Sequence, residues 1–261
     1  MKRKYGSYLF IALSLIASSC HAMEDQWEKH WPEVVWKNAW VKSWVLGFSA
    51  GYGDREAGTV AQVRYGNFPN IMPAYVVRDY SSLGKIFGAF GGYQETRNNW
   101  LRGIEVNIDD HEMDTSLPFA FSDPSGLVGW TAKARYKRRL MAGLTARVGY
   151  QLADYIMPYV RLGAEVGRDT YWTSFSNNTN FVPGTTVREK TWVYRFLSGV
   201  GAEFPIYCTA LSMRVEYNYH SKGKTLEADG IFTDGVLNPI YNSNLQPKTQ
   251  SGRIAIVRKF S

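Results

Sequence analysis

The sequence lacks any run of 18 or more apolar residues, which excludes a conventional transmembrane helix. Cysteine is almost absent: Cys20 and Cys208 are the only two. Cys20 lies in a leader-like segment, so a processed chain keeps one thiol and no disulfide can staple the fold. Histidine is scarce, and His30, His111 and His220 are scattered. With one thiol beside them they spell out no metal-ligand set. The glycines of "GAFGGYQ" open no helix, so no nucleotide-binding loop is present. "DDHEMD" (Asp109 to Asp114) is acidic but lacks the ligand-and-glycine spacing of a calcium loop, and is expected to be a solvated loop. No cofactor and no nucleic-acid partner is implied.

What is present begins at the N-terminus. Lys2, Arg3 and Lys4 precede the apolar "YLFIALSLIA" (Tyr8 to Ala17), and a small residue, Ala22, closes the segment. A charged start, a short apolar centre and a small cleavage residue define a secretory signal over residues 1–22. A lipoprotein signal ending at Cys20 is the weaker variant, because Ala17 replaces the usual bulky aliphatic residue. Cleavage removes three of the 30 basic residues and none of the 23 acidic ones, leaving 27 against 23, a net charge of +4. So mild a surplus is poor support for any acidic partner. Residues 23–42 follow, with Trp27, Trp31, Trp36 and Trp40 at intervals of four or five and Pro32 interrupting any single helix. This lead-in either lies at a membrane surface, where tryptophan is favoured, or packs on the end of the following domain.

From Ser43 the period is two, the signature of strands. Trp44, Leu46, Phe48, Ala50 and Tyr52 alternate with Val45, Gly47, Ser49 and Gly51. Phe87, Ala89 and Tyr93 alternate with Ile86, Gly88 and Gly92. Further strands are read at 100–109, in one long in-phase run from Trp130 to Leu152 that has room for a bulge, from Pro158 to Val166, and at 191–206, 211–220 and 252–260. That makes eight. Short connections near 96–99, 152–155 and 205–209 alternate with long ones near 54–83, 110–127, 168–190 and 222–250. Such alternation sorts all the long loops to one end, as in membrane barrels. Closure into a barrel satisfies every backbone polar group, as lipid demands. The fold class is therefore an all-β, eight-stranded, antiparallel up-and-down transmembrane β-barrel over residues 43–261.

The two faces then have assigned solvents. Apolar residues meet lipid. The alternate face fills the lumen, which in an eight-stranded barrel is just wide enough for side chains. Glu105, Arg147, Arg161, Glu165, Arg195, Glu203, Arg214 and Glu216 are expected there as an ion-pair network, because an unpaired buried charge is costly. Lumen-phase glycines such as Gly88, Gly163 and Gly199 leave room for these long side chains. Trp44, Tyr52, Trp100, Tyr150, Tyr159, Trp192 and Phe260 are expected in interfacial girdles. The basic run "KARYKRR" is expected at or just above the outer leaflet. There Lys133, Arg135, Lys137, Arg138 and Arg139 would contact lipopolysaccharide phosphates or an anionic host polysaccharide.

"RVGYQL…YIMPYVRLGAEVG", "GIEVNI" and the closing "RKF" resemble the small eight-stranded outer-membrane barrels. These include the transmembrane domain of outer-membrane protein A and the opacity-type surface antigens. The resemblance covers residues 43–261 and implies residence in the bacterial outer membrane, a charged lumen plug, and a terminal Phe read by the barrel-assembly machinery. Here Phe260 is penultimate, before Ser261. Function is expected to be that of a non-enzymatic, monomeric surface barrel supporting the envelope and presenting loops, with adhesion or a host-surface ligand in view. A small pore is the alternative. A lipid A-modifying enzyme is a third reading, but His220 and Ser221 are adjacent, so on a strand they face opposite sides and cannot act together.

Overall fold

A computed structural model describes residues 41–65, 73–122, 129–177, 185–206, 209–231 and 238–260. The signal segment, nearly all of the tryptophan-rich lead-in, Cys208 and Ser261 lie outside the described residues. Among the described residues nine strands form one antiparallel sheet: β1 (Val41–Tyr65), β2 (Ala74–Arg97), β3 (Trp100–Ser122), β4 (Gly129–Tyr150), β5 (Met157–Asn177), β6 (Thr185–Pro205), β7 (Leu211–His220), β8 (Leu226–Ile231) and β9 (Pro239–Phe260). Each pairs with its neighbour in sequence as far as β7, which pairs with β9. β9 then closes the ring on β1, from Trp44↔Phe260 to Tyr65↔Pro239. β7 and β8 follow one another along the same edge of β9 and together make one stave, so the barrel has eight. Above Leu197↔His220 no ladder joins β6 to that stave among the described residues.

Local sequence accounts for the hairpins. Asn98 and Asn99 have φ of 48° and 68° and link β2 to β3. Asparagine tolerates this left-handed backbone, which matches a two-residue hairpin to strand twist. The remaining short turns lie at 151–156, where Ala153 bridges Ile156, and between β6 and β7, where Thr209 N donates to Ile206 O at 3.2 Å.

The strands are much longer than the period-two segments indicated. β1 has 25 residues and β5 has 21, where about 9–11 suffice to cross a bilayer. The connections expected at 54–83, 110–127, 168–190 and 222–250 are largely strand. What lies between strands at that end is 66–73, 123–128, 178–184 and 232–238. The barrel thus has two storeys. In the lower one the outward residues are apolar, as with Trp44, Leu46, Phe48 and Tyr52 on β1 or Ile104, Val106 and Ile108 on β3. In the upper one they are polar: Asp54 and Glu56 continue the same phase of β1, and Asp110 and Glu112 that of β3.

The interior inverts in step. Charged residues fill the lower storey. Apolar ones fill the upper, where Trp130, Tyr136, Phe175, Val187, Leu226, Tyr241 and Leu245 belong to one buried cluster. Trp130 meets Tyr241 edge-on at 5.9 Å. Outer solvent explains both storeys. Lipid selects apolar residues outside the lower wall, and water selects polar ones outside the upper, so the upper barrel packs like a soluble domain.

β4 changes its phase at the boundary. Its register on both β3 and β5 shifts between Arg138 and Met141, a β-bulge that turns the strand by one residue. Below it odd residues point inward, and above it even ones do. The long in-phase run is therefore corrected: Trp130, Ala132, Ala134 and Tyr136 face the interior, not lipid.

Leu144, outward on lower β4, should not tolerate charge. Leu144→Arg is expected to destabilise the folded barrel by about 2–4 kcal/mol if it lies near the bilayer midplane. Thr131→Arg, outward on upper β4, should be neutral. Urea unfolding in lipid vesicles, followed by the gel mobility of unboiled samples, measures both.

Candidate functional site in the lumen and on the outer wall

All eight residues expected in the lumen network are buried, none more than 5% exposed. They are positioned by inward-facing alternation on β3, β4, β5, β6 and β7. The lowest layer centres on two glutamates. Glu203 Oε2 accepts from Arg147 Nη1 at 3.0 Å and from Arg214 Nε at 2.8 Å. Its other oxygen takes Lys259 Nζ at 2.7 Å and Ser212 Oγ at 2.8 Å. Glu105 Oε1 accepts from Arg214 Nη1 at 2.8 Å and lies 3.6 Å from Arg147 Nε. Two carboxylates therefore bind three cations from three strands. Arg147 Nη2 also donates to Gln94 Oε1 at 2.8 Å.

Beside this hub, Arg161 Nη1 donates to Glu216 Oε2 at 2.7 Å, and Tyr159 OH donates to Oε1 of the same carboxylate at 2.5 Å. Tyr159 is thus a lumen residue, not a girdle residue. Its odd position on β5 puts it inside, and its ring lies under the Arg147 guanidinium at 4.6 Å. The other girdle residues are outward, with Trp44 against Tyr93 at 5.4 Å and Trp100 against Tyr150 at 5.1 Å.

The middle layer joins Glu165 to His220 Nδ1 at 2.7 Å, Asn107 to both Glu165 and Asp109, and Arg253 Nη1 to Asp109 Oδ1 at 2.7 Å. His111 packs against His220, ring centroids 5.8 Å apart. "DDHEMD" is therefore strand, not loop: Asp109 and His111 point inward and Asp110 and Glu112 outward. Close packing here uses glycine. A Cβ on Gly143 would come within 2.7 Å of Glu165 Cγ.

A third layer lies at the storey boundary. Asp169 binds Arg195 Nη2, accepts from Arg138 Nε at 3.1 Å, and takes Tyr136 OH at 2.7 Å. Arg195 is thus held by Asp169 and not by one of the expected glutamates. The Arg55 guanidinium lies 4.8 Å from the Tyr136 ring centroid and donates to Met113 O at 3.1 Å. Arg55, Asp109, Arg138, Asp169, His220 and Arg253 also join the lumen network, although the expected ion-pair set did not include them. Asp109, His220 and Arg253 follow the period-two phase and were legible from it. The others sit in segments expected to be loops or beyond the bulge.

Arg138 is the correction on the basic run. It is fully buried in the lumen, because the bulge gives even residues of upper β4 the inward face. Lys133, Arg135, Lys137 and Arg139 face outward on the upper wall. Arg135 stacks over Trp172 at 5.1 Å. His220 and Ser221 diverge as expected: Ser221 Oγ accepts from the Phe196 backbone at 3.0 Å while His220 faces Glu165.

Residues 74–246 match the family described as the OmpA-like transmembrane domain. No curated protein matches the sequence. Among solved structures, the chain is similar to the attachment invasion locus protein Ail of Yersinia pestis, at 16% identity over 80% of this chain and 97% of that one, TM-score 0.29. It is similar to outer membrane protein OprG of Pseudomonas aeruginosa at 12% identity, over 82% and 95%, TM-score 0.40. It is also similar to the outer membrane protease OmpT of Escherichia coli at 9% identity, over 83% and 97%, TM-score 0.41. At these values nothing residue-specific transfers from them.

Glu203 is the lumen residue whose loss should cost most. Glu203→Ala leaves Arg147 and Arg214 sharing Glu105, and is expected to cost about 3–5 kcal/mol. Removing the opposing charges as well, in Glu203→Gln with Arg214→Met, should recover part of that. A double-mutant cycle on unfolding free energy in vesicles measures the coupling.

Proposed function

Because the chain belongs to the OmpA-like transmembrane domain family, it is an outer-membrane β-barrel of bacteria, and we propose that it serves there as a non-enzymatic surface barrel. It supports the envelope and carries binding surfaces outward. The observation that carries this reading is the second storey. Strands of 21–25 residues continue well beyond the lipid-facing band as a wall with an apolar core. Such a wall is a built platform, which suits the display of binding loops. The four connections at its outer end are the places for adhesion or a host-surface ligand.

Several features favour this reading over the others. The lumen is crossed by three layers of paired charge and capped by apolar side chains, which opposes a standing pore. The divergence of His220 and Ser221 gives no nucleophile-and-base pair at the site considered for lipid chemistry. Partners proposed with this reading are outer-leaflet lipid and lipopolysaccharide, and the barrel-assembly machinery during insertion, with the protein acting as a monomer. Phe260 lies at the end of β9, facing outward beneath the Arg258 guanidinium at 5.2 Å. Residues 1–22 are proposed to be the cleaved secretory signal.

Expression with outer-membrane fractionation should give a species that runs compact unboiled and shifts on boiling. Shortening 66–73, 123–128, 178–184 or 232–238 one at a time should leave that shift intact while lowering host-cell binding for at least one of them. In planar bilayers the intact protein should show no steady channel. Steady channels altered by Arg147→Ala would instead establish the pore.

A further inference from the structure

We propose that the outer wall of β4, β5 and β6, just above the lipid-facing band, is a binding site for the phosphate groups of an outer-leaflet glycolipid. The proposal rests on the surface-barrel reading and names the ligand chemistry of one face. The strand register builds the site. Lys137 pairs across to Thr170, and Thr170 to Lys190. One step higher, Arg135 pairs to Trp172, and Trp172 to Arg188. These are two rows, each a neutral residue between two cations. Strands lie about 4.8 Å apart and successive outward residues about 7 Å apart. The four cations therefore stand at the corners of a patch about 10 Å by 7 Å.

The surroundings extend the patch. Arg168, outward on β5, pairs to Trp192 at the lower border, and Arg139 stands exposed at the bulge beside it. Lys133 continues the upper border next to Ser174. A carboxylate residue, Asp114 on β3, is in register with Lys137 at one margin. An open concavity of about 400 Å³ lies against this wall, lined by Ser116, Lys133, Arg135, Trp172 and Ser174. Trp172 and the hydroxyls suit a sugar, and the cations beside it suit the sugar's phosphates.

Height selects the occupant. The last lipid-facing residues of these strands are Leu140, Val166 and Trp192. The lower row begins only a few residues above them, where the phosphates of a membrane-anchored glycolipid lie. A soluble polyanion has no reason to be held at that level. On the opposite wall Lys248 Nζ pairs with Glu56 at 2.8 Å and Asp54 also faces outward, while Asp110 and Glu112 face outward on β3, the strand next to β4, and bound the cationic face on that side. The barrel thus turns one cationic side to the leaflet's anionic headgroups.

The test uses the folded, detergent-purified full chain, with lipopolysaccharide, its enzymatically dephosphorylated form, and heparin as probes. The variant carries Arg135→Gln, Lys137→Gln, Arg188→Gln and Lys190→Gln. The control carries Lys85→Gln and Lys248→Gln. Lipopolysaccharide should bind the wild type and control alike, and the quadruple variant at least roughly tenfold more weakly. Dephosphorylation should weaken binding to the wild type by a similar factor, and added salt should weaken what remains. Equal binding by the quadruple variant, or no effect of dephosphorylation, overturns the proposal. So does binding of heparin without lipopolysaccharide, which would make the occupant a soluble polyanion. Unboiled gel mobility of each variant confirms that the barrel is folded. Absence of the compact species from the outer membrane would defeat the surface-barrel reading itself, independently of any binding result.

Discussion

Every stave of this barrel crosses a plane at which its outer solvent changes from hydrocarbon to water, and the rest of the molecule is arranged around that crossing. Below the plane the backbone can leave no donor or acceptor unpaired, so the ring must close, and β9 lies along β1 for its full length. The side chains turned outward there must be apolar. The charged ones have only the lumen to occupy. Above the plane water solvates the outside, and the inside becomes the cheaper place for aromatic and aliphatic groups. One wall thus carries two opposite polarity patterns, and the β1–β9 ladder runs through both without a break.

The lumen must compensate for being filled with ions. Desolvating a carboxylate or a guanidinium costs several kcal/mol, so the layers are built from shared partners and not from isolated pairs. Glu203 meets two arginines and a lysine, and Asp169 meets two arginines and a tyrosine. Charges from strands far apart in sequence are drawn to common centres. Arg214 reaches Glu105 across a separation of 109 residues, and Arg253 reaches Asp109 across 144. These bonds tie opposite staves together through the middle, where the sheet ties only neighbours. Geometry as well as energy is fixed this way.

The lower storey was plainly legible in the sequence. Alternation of apolar and charged residues at 43–53, 100–109 and 211–220 needs only a period of two to read, and it placed Glu105, Arg214 and Glu216 inside. The upper storey was hidden for a physical reason. At Asp54 or Arg168 the outward residues turn polar, so the stretch imitates a solvated loop. In fact the alternation persists with its polarity exchanged, as Ala57, Ala61 and Val63 inside β1 show. β4 concealed the change most completely. There the exchange of solvent and the one-residue bulge cancel, and apolar residues stay at even positions from Trp130 to Tyr150 although half of them face the opposite way. Arg138 was misplaced by that cancellation alone. Tyr159 was misplaced differently, by weighing aromatic character over the phase of its own strand.

The break between β7 and β8 gives the two storeys unequal mechanics. Below it, every stave is laced to both neighbours. Above it, β6 from Thr185 to Phe196 is laced by a ladder only to β5 among the described residues, and side-chain packing, such as Val187 against Gly230, closes the other side. Backbone amides along such a margin open at lower cost than those of a fully paired strand. The upper cylinder therefore has a preferred line along which to breathe, while the belt held in the membrane below it stays shut.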